Sequence, residues 1–160
     1  RDRLFHAMGC RILAFSRHKK ENVPEYVTYV PLEELVRKSD IISLHCPLTP
    51  ETKGLVNAER IGMMKKTAVL INAARGPVVD SCALADALNE GRLAGAAVDV
   101  FEMEPPVPAN HPLLHAANCL VTPHIAFASE ESMKLRADIV FDNLRVWLKG
   151  GQVNTVLPRA

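Results

Sequence analysis

An α/β fold with a doubly wound parallel sheet is predicted by three features of this sequence. Short apolar runs recur along the chain, helical patterns fill the intervals between them, and the runs are continuous rather than alternating. A strand covered by helices on both faces has no wet side and reads as apolar throughout, whereas a half-solvated antiparallel strand alternates with period two. The runs are "RILAF" (11–15), "DIISLHC" (40–46), "TAVLINA" (67–73), "LAGAAVDVF" (93–101) and "CLVTP" (119–123).

Taken in order, "RLFHAMG" (3–9) reads as the end of a helix before the first run. Pro31 then opens a helix whose Leu32, Leu35 and Val36 share one face. Asp80 caps the next helix, which carries Leu84, Ala87 and Leu88 on one side and stops at Gly91. These are the crossovers that parallel strands need. The longest helix starts at Ser129, with Glu130 and Glu131 in the first turn where the helix dipole favours negative charge. Its stripe of Met133, Ala137, Val140, Leu144 and Trp147 is expected to be core, with an extension into a subunit interface as the alternative. Gly150 and Gly151 end it, and "QVNTVLPRA" reads as an exit segment.

The totals narrow the function classes. At 160 residues, 48% hydrophobic and 23% charged, the chain has the material for one globular domain. A formal net charge of +1 argues against a nucleic-acid partner, because phosphate backbones select strongly basic surfaces. No apolar run approaches the roughly 18 residues that span a bilayer, and "RDRLFHAMG" lacks a signal-peptide core. No membrane partner is expected. Cys10, Cys46, Cys82 and Cys119 form no C-x-x-C pair and sit in apolar surroundings, so they read as packed, reduced thiols of a cytoplasmic protein.

In a doubly wound sheet, ligands sit outside the carboxyl ends of the strands. The segments that follow the runs are "SRHKK" (16–20), "HCPLTPETKG" (45–54), "ARGPVVD" (74–80), "DVFEMEPP" (99–106) and "TPHIAFAS" (122–129). Three stretches, "LVRKSDIISLHCPLTPETKGLVN" (35–57), "MKKTAVLINAARGPVVD" (64–80), and "DVFEMEPP" followed by "TPHIA" (122–126), resemble the NAD-binding domain of the D-isomer-specific 2-hydroxyacid dehydrogenases. The resemblance spans nearly the whole chain and implies a Rossmann-like fold. It implies that Arg75 holds a substrate carboxylate, that His124 exchanges a proton with the substrate oxygen, and that Glu104 pairs with that histidine. Coenzyme contacts are expected at Ser16, Arg17, His45, Cys46, Pro47, Ala73, Ala74, Asp99 and Ala126, with Asp99 facing the nicotinamide amide. The implied substrate is a small 2-keto or 2-hydroxy acid, and the implied assembly of a complete enzyme is a homodimer.

The residue chemistry supports these roles. Arginine presents a planar fork that meets a carboxylate with two parallel hydrogen bonds, so it orients the substrate as well as binding it. Gly76 beside it lets backbone approach closely. Reduction of a keto acid needs a hydride and a proton, and histidine is suited to the proton. A carboxylate at Glu104 would stabilise the imidazolium. No evident base is paired with Cys46, which reads as a packed thiol lining the pocket. His111, His115, Cys119 and His124 fit no structural-zinc spacing, so no metal is expected.

Two departures from the family pattern stand out. Where these enzymes place an aspartate for the adenosine ribose, this chain has Ser16 and Arg17, with His18, Lys19 and Lys20 behind them. A carboxylate repels a 2′-phosphate and this cluster attracts one, so the coenzyme is read as NAD or NADP with a lean to NADP. The Gly-rich phosphate loop and its strand do not precede residues 3–9, so the fold is read as incomplete at the N-terminus. Residues 1–150 are then a partial dinucleotide-binding domain, and residues 151–160 lead back to a substrate domain mostly absent here. These 160 residues alone are expected not to turn over. The rival reading is a non-catalytic, NAD(H)-sensing module of the corepressor kind, and the third is a structural fragment that binds nothing.

Overall fold

Every strand pairing among the described residues is parallel, as the continuous apolar runs require. The computed structural model describes residues 2–18, 22–103 and 106–155. In chain order these form α1 (Asp2–Ala7), β1 (Ile12–Ala14), β2 (Val27–Tyr29), α2 (Leu32–Lys38), β3 (Ile41–Leu44), α3 (Ala58–Met63), β4 (Val69–Asn72), α4 (Ser81–Asn89), β5 (Gly95–Val98), β6 (Cys119–Val121) and α5 (Glu130–Leu148). Short 3-10 turns occupy Gly76–Val78 and Pro112–Leu114. The chain divides into two compact units, Arg1–Pro123 and His124–Ala160.

In the first unit, β3, β4, β5 and β6 form one sheet in sequence order, and β1 and β2 form a second. The register pairs Leu44 with Asn72 and Asn72 with Val98, so the carboxyl ends of β3, β4 and β5 finish level. Three of the segments singled out in the sequence therefore leave from one edge. The core lies on one face of this sheet, where Ile42, Leu44, Leu70, Ala96 and Val98 meet Leu32 and Val36 of α2, Ile61 of α3, and Leu84 and Leu88 of α4.

The cap residues behave as their chemistry dictates. The Asp80 carboxylate accepts from the Ala83 amide, and Gly91 takes φ +63° to close α4. In the second unit, Ser129 accepts from the Ser132 amide at the start of α5, and the Gly150 and Gly151 amides return to Trp147 and Val146 at its end.

Some expectations fail. Burial alternates along β3, β4 and β5, so the outward positions Ile41, Ser43, Val69, Ile71 and Ala97 are not fully covered. Apart from Ser43, their side chains remain apolar because a parallel strand's composition records the environment of the folded sheet, not what one layer of helices covers. The stripe of α5 is not core: no residue of that helix is buried, and Met133, Val140, Leu144 and Trp147 are all exposed. Period alone marks an apolar face without supplying its partner. Of the thiols, Cys46 and Cys119 are half-buried, but Cys10 and Cys82 are exposed. Two elements were missed, β2 and α3, each too short to impose a period. For α3 a signal existed, since Asn57 caps it by accepting from Arg60.

Candidate active site

The described buried polar side chains are Asn72, Ser81 and Asp99; Asn72 ends β4 and Asp99 follows β5 at the carboxyl edge of the main sheet, while Ser81 opens α4. Buried polar groups need partners, so their hydrogen bonds report what this edge is built to hold. Asn72 ends β4 at 1% exposure. Its Oδ1 accepts from the Ala74 amide at 3.1 Å, and its Nδ2 donates to the Arg75 carbonyl at 3.1 Å. One amide side chain thus bridges both sides of the turn. Arg75 follows in extended conformation, exposed, with Nη1 donating to the Ala74 carbonyl at 2.6 Å. The cation flagged by the sequence sits at the surface on a backbone fixed from below. Ala73 is exposed and Ala74 buried beside it.

Two further contacts brace this turn. The loop after β3 zips against it, with Gly54 and Val56 amides donating to Pro77 and Val78 carbonyls and the Asp80 amide donating back to Val56. On the other side the Phe101–Glu102 peptide packs directly on Gly76: a Cβ there would lie 1.9 Å from the Phe101 carbonyl carbon. Only glycine permits that approach. Gly76→Ala is expected to destabilise the fold by about 1–3 kcal/mol through the backbone shift it forces, measured by urea denaturation. An unchanged midpoint would show that the two segments are not clamped.

Asp99 continues this edge at the end of β5, 6% exposed. Its amide donates to the Asn72 carbonyl, and its carboxylate accepts from the Thr122 hydroxyl at 2.6 Å. Among the expected positions, the structure therefore ties Arg75 and Asp99 together through Asn72. His45, Cys46 and Pro47 leave the end of the adjacent β3. His45 Nε2 lies 2.9 Å from the Ser43 hydroxyl, and the Pro47 carbonyl accepts from Thr52 at 2.6 Å. Burial pushes the Cys46 thiol up, against the opposing pull of a backbone hydrogen bond, which keeps it protonated and poorly nucleophilic.

Ser16 follows β1, where Phe15, Ser16, Tyr29, Val30 and Pro31 line a pocket. Largely apolar walls with the Ser16 and Tyr29 hydroxyls suit a flat heteroaromatic ring and its sugar. Arg17 is exposed and lies 3.8 Å from Glu51, an ion pair in full solvent that leaves the guanidinium weakly held. Lys19 and Lys20 lie outside the described residues, as does Glu104.

The second unit carries His124 and Ala126. His124 has φ +57°, a left-handed conformation that costs a non-glycine residue roughly 1–2 kcal/mol. Its ring meets the Phe127 ring edge-on at 6.2 Å, and the Arg136 guanidinium stands 5.5 Å over Phe127. Ser132 Oγ donates to the Phe127 carbonyl. The imidazole is thus oriented by neighbours on its own short turn and on α5. Ala126 is exposed on that turn.

Sequence reasoning missed Asn72, Phe127 and Arg136. For Asn72 the signal was a lone amide inside "VLIN", where every neighbour is apolar. Phe127 and Arg136 gave no signal, because the contact arises only when the turn meets the first turns of α5. Among the described residues, no group of three or more potential metal ligands exists, and no helix is long and apolar enough to cross a membrane.

Residues 2–126 match the family model described as D-isomer specific 2-hydroxyacid dehydrogenase, NAD binding domain. The chain is 44% identical over 155 residues to a hydroxypyruvate reductase of Blautia hydrogenotrophica, covering 96% of this chain and 48% of that protein. It is 52% identical over 130 residues to a glyoxylate reductase of Thermofilum pendens, covering 81% of this chain and 38% of that one. The chain thus spans about half or less of the length of these relatives. Among solved structures, the NAD-complexed D-isomer specific 2-hydroxyacid dehydrogenase of Lactobacillus delbrueckii ssp. bulgaricus superposes with a TM-score of 0.84 at 30% identity, covering 98% of this chain and 51% of that one.

Proposed function

This chain belongs to the D-isomer-specific 2-hydroxyacid dehydrogenase family, and from that premise we propose that it is the coenzyme-binding part of a reductase of small 2-keto acids. The observation that carries the reading is the Arg75 turn, a surface guanidinium on a backbone held by Asn72 and by the Gly76 contact. Such rigidity is wasted on a solvated loop and useful for orienting a small anion.

The residues present fit a nicotinamide dinucleotide. The pocket beside Ser16 offers largely apolar walls and the Ser16 and Tyr29 hydroxyls for the adenosine end, and Asp99 offers a buried carboxylate acceptor suited to an amide. The coenzyme, when bound, supplies the hydride. Arg75 holds the substrate carboxylate through two parallel hydrogen bonds and so fixes which face of the carbonyl is presented. His124 gives its proton to the carbonyl oxygen as that oxygen becomes a hydroxyl, and regains one from solvent. Glu104 stabilises the imidazolium. In the reverse direction His124 takes the hydroxyl proton. The names of the related hydroxypyruvate and glyoxylate reductases support a short, polar 2-keto acid as the substrate.

The test is oxidation of NADH and NADPH by the complete protein that carries this domain, against glyoxylate, hydroxypyruvate, pyruvate and phosphohydroxypyruvate. Turnover of one of them supports the reading. Coenzyme binding without turnover would point instead to the sensor role, and absence of binding would overturn both. Ser16 and Arg17 favour NADP, since the loosely held Arg17 guanidinium is available to a 2′-phosphate. Arg17→Ala is expected to lower kcat/KM with NADPH about tenfold, the loss of one charge-assisted hydrogen bond, and to leave NADH within about twofold. Equal losses with both coenzymes would remove Arg17 from the choice.

A further inference from the structure

The segment 99–103 continues past the end of β5, with the Asp99 amide still donating to the Asn72 carbonyl of β4, and its Phe101–Glu102 peptide forms the wall on which the Arg75 turn rests. What keeps that wall in place is a set of side chains outside the site described above. Glu102 lies between two elements: its Oε2 is 3.0 Å from His111 Nε2, and its carboxylate also accepts from Ser81 at the start of α4. Ser81 is buried, and the His111 side chain is only 9% exposed. His111 Nδ1 accepts from the Leu113 amide, which leaves Nε2 as the protonated nitrogen and so the donor to Glu102. Leu113, at 2% exposure, anchors that 3-10 turn in the core. The Phe101 ring stands edge-on against the His111 ring at 5.0 Å. His111 therefore holds both residues of the peptide that packs on Gly76.

We propose that Ser81, Glu102 and His111 are positioning residues for the substrate carboxylate, pinning the Phe101–Glu102 peptide against Gly76 so that Arg75 keeps one orientation. The inference rests on the reading of Arg75 as the carboxylate anchor. Coupling runs through rigid contacts at each step: Leu113 seats His111, His111 and Ser81 hold Glu102, and the Glu102 backbone confines the turn. Burial alone would raise the Glu102 carboxyl, but the hydrogen bonds from Ser81, its own backbone and His111 outweigh it and hold the group below the usual carboxylate range. The carboxylate is thus available as a double acceptor at neutral pH.

The experiment uses the complete protein and compares His111→Leu, His111→Gln, Arg75→Ala and the double variant His111→Leu/Arg75→Ala. His111→Leu keeps bulk and loses the donor, and is expected to raise the keto-acid KM about tenfold, the worth of one charge-assisted hydrogen bond, with kcat within about twofold. His111→Gln restores a donor and is expected to bring KM back to within about threefold. In the Arg75→Ala background, His111→Leu is expected to add nothing to KM, because the group it positions is gone. A role confined to stability would lower the melting temperature without moving KM, and would overturn the proposal. So would full additivity in the double variant. If Arg75→Ala itself leaves KM unchanged, the carboxylate reading falls and the inference with it. If Arg75→Ala raises KM while His111→Leu does not, the inference alone fails.

Discussion

Replacing Arg75 with alanine is expected to raise the KM for a 2-keto acid about a hundredfold while the melting temperature holds. A bidentate pair makes two charge-assisted hydrogen bonds, each worth about 1.5–3 kcal/mol, and the exposure of Arg75 places the total near the lower end, about 3 kcal/mol. That is roughly two orders of magnitude in affinity. Stability is spared because the side chain is exposed and its one described hydrogen bond goes to the neighbouring Ala74 carbonyl. The turn keeps its shape through Asn72 and Gly76, neither of which is changed. Arg75→Lys restores the charge but not the fork, and is expected to recover only part of the loss. Steady-state kinetics with the preferred keto acid decides the matter, and a KM unchanged in both variants would remove Arg75 from the site.

His124→Asn should do the opposite, lowering kcat by about 10²–10⁴ with little effect on KM, because a positioned proton donor acts in the transition state rather than in binding. Asparagine is the informative replacement. His124 sits at φ +57°, where asparagine is tolerated and most other side chains are strained. His124→Ala removes the same proton donor and adds the backbone cost, so the two variants should share a low kcat while the alanine protein is about 1 kcal/mol less stable. Retention of kcat in His124→Asn would end the acid-base assignment. A fall in kcat confined to His124→Ala would mean that the backbone, not the ring, is what matters.

Much of the fold was legible because it rests on local chemistry. Five of the strands announce themselves as continuous apolar runs, and α4 and α5 are bounded by an aspartate, a serine and glycines whose roles follow from backbone hydrogen bonding. The elements missed, β2 and α3, are short enough that neither period nor composition rises above the surrounding loop. The stripe of α5 shows the limit from the other side. Its spacing correctly marks an apolar face, but whether Leu144 or Trp147 is buried depends on what packs there, and among the described residues both are exposed.

The candidate site divides in the same way. Sequence by itself determined which chemistry is available: a guanidinium after "VLINAA", an imidazole after "TP", an aspartate ending "AAVD" and a parallel sheet that delivers such segments at strand ends. It did not show that Asn72 bridges the Arg75 turn, that Gly76 admits the Phe101–Glu102 peptide, or that Phe127 and Arg136 orient His124. These were decided only in three dimensions. Residue type sets what a group can donate, accept or hold as charge, and that is a local property. Which partner it meets depends on distances between segments far apart in the chain, and those distances exist only once the core has closed and each buried polar group has found its hydrogen bond.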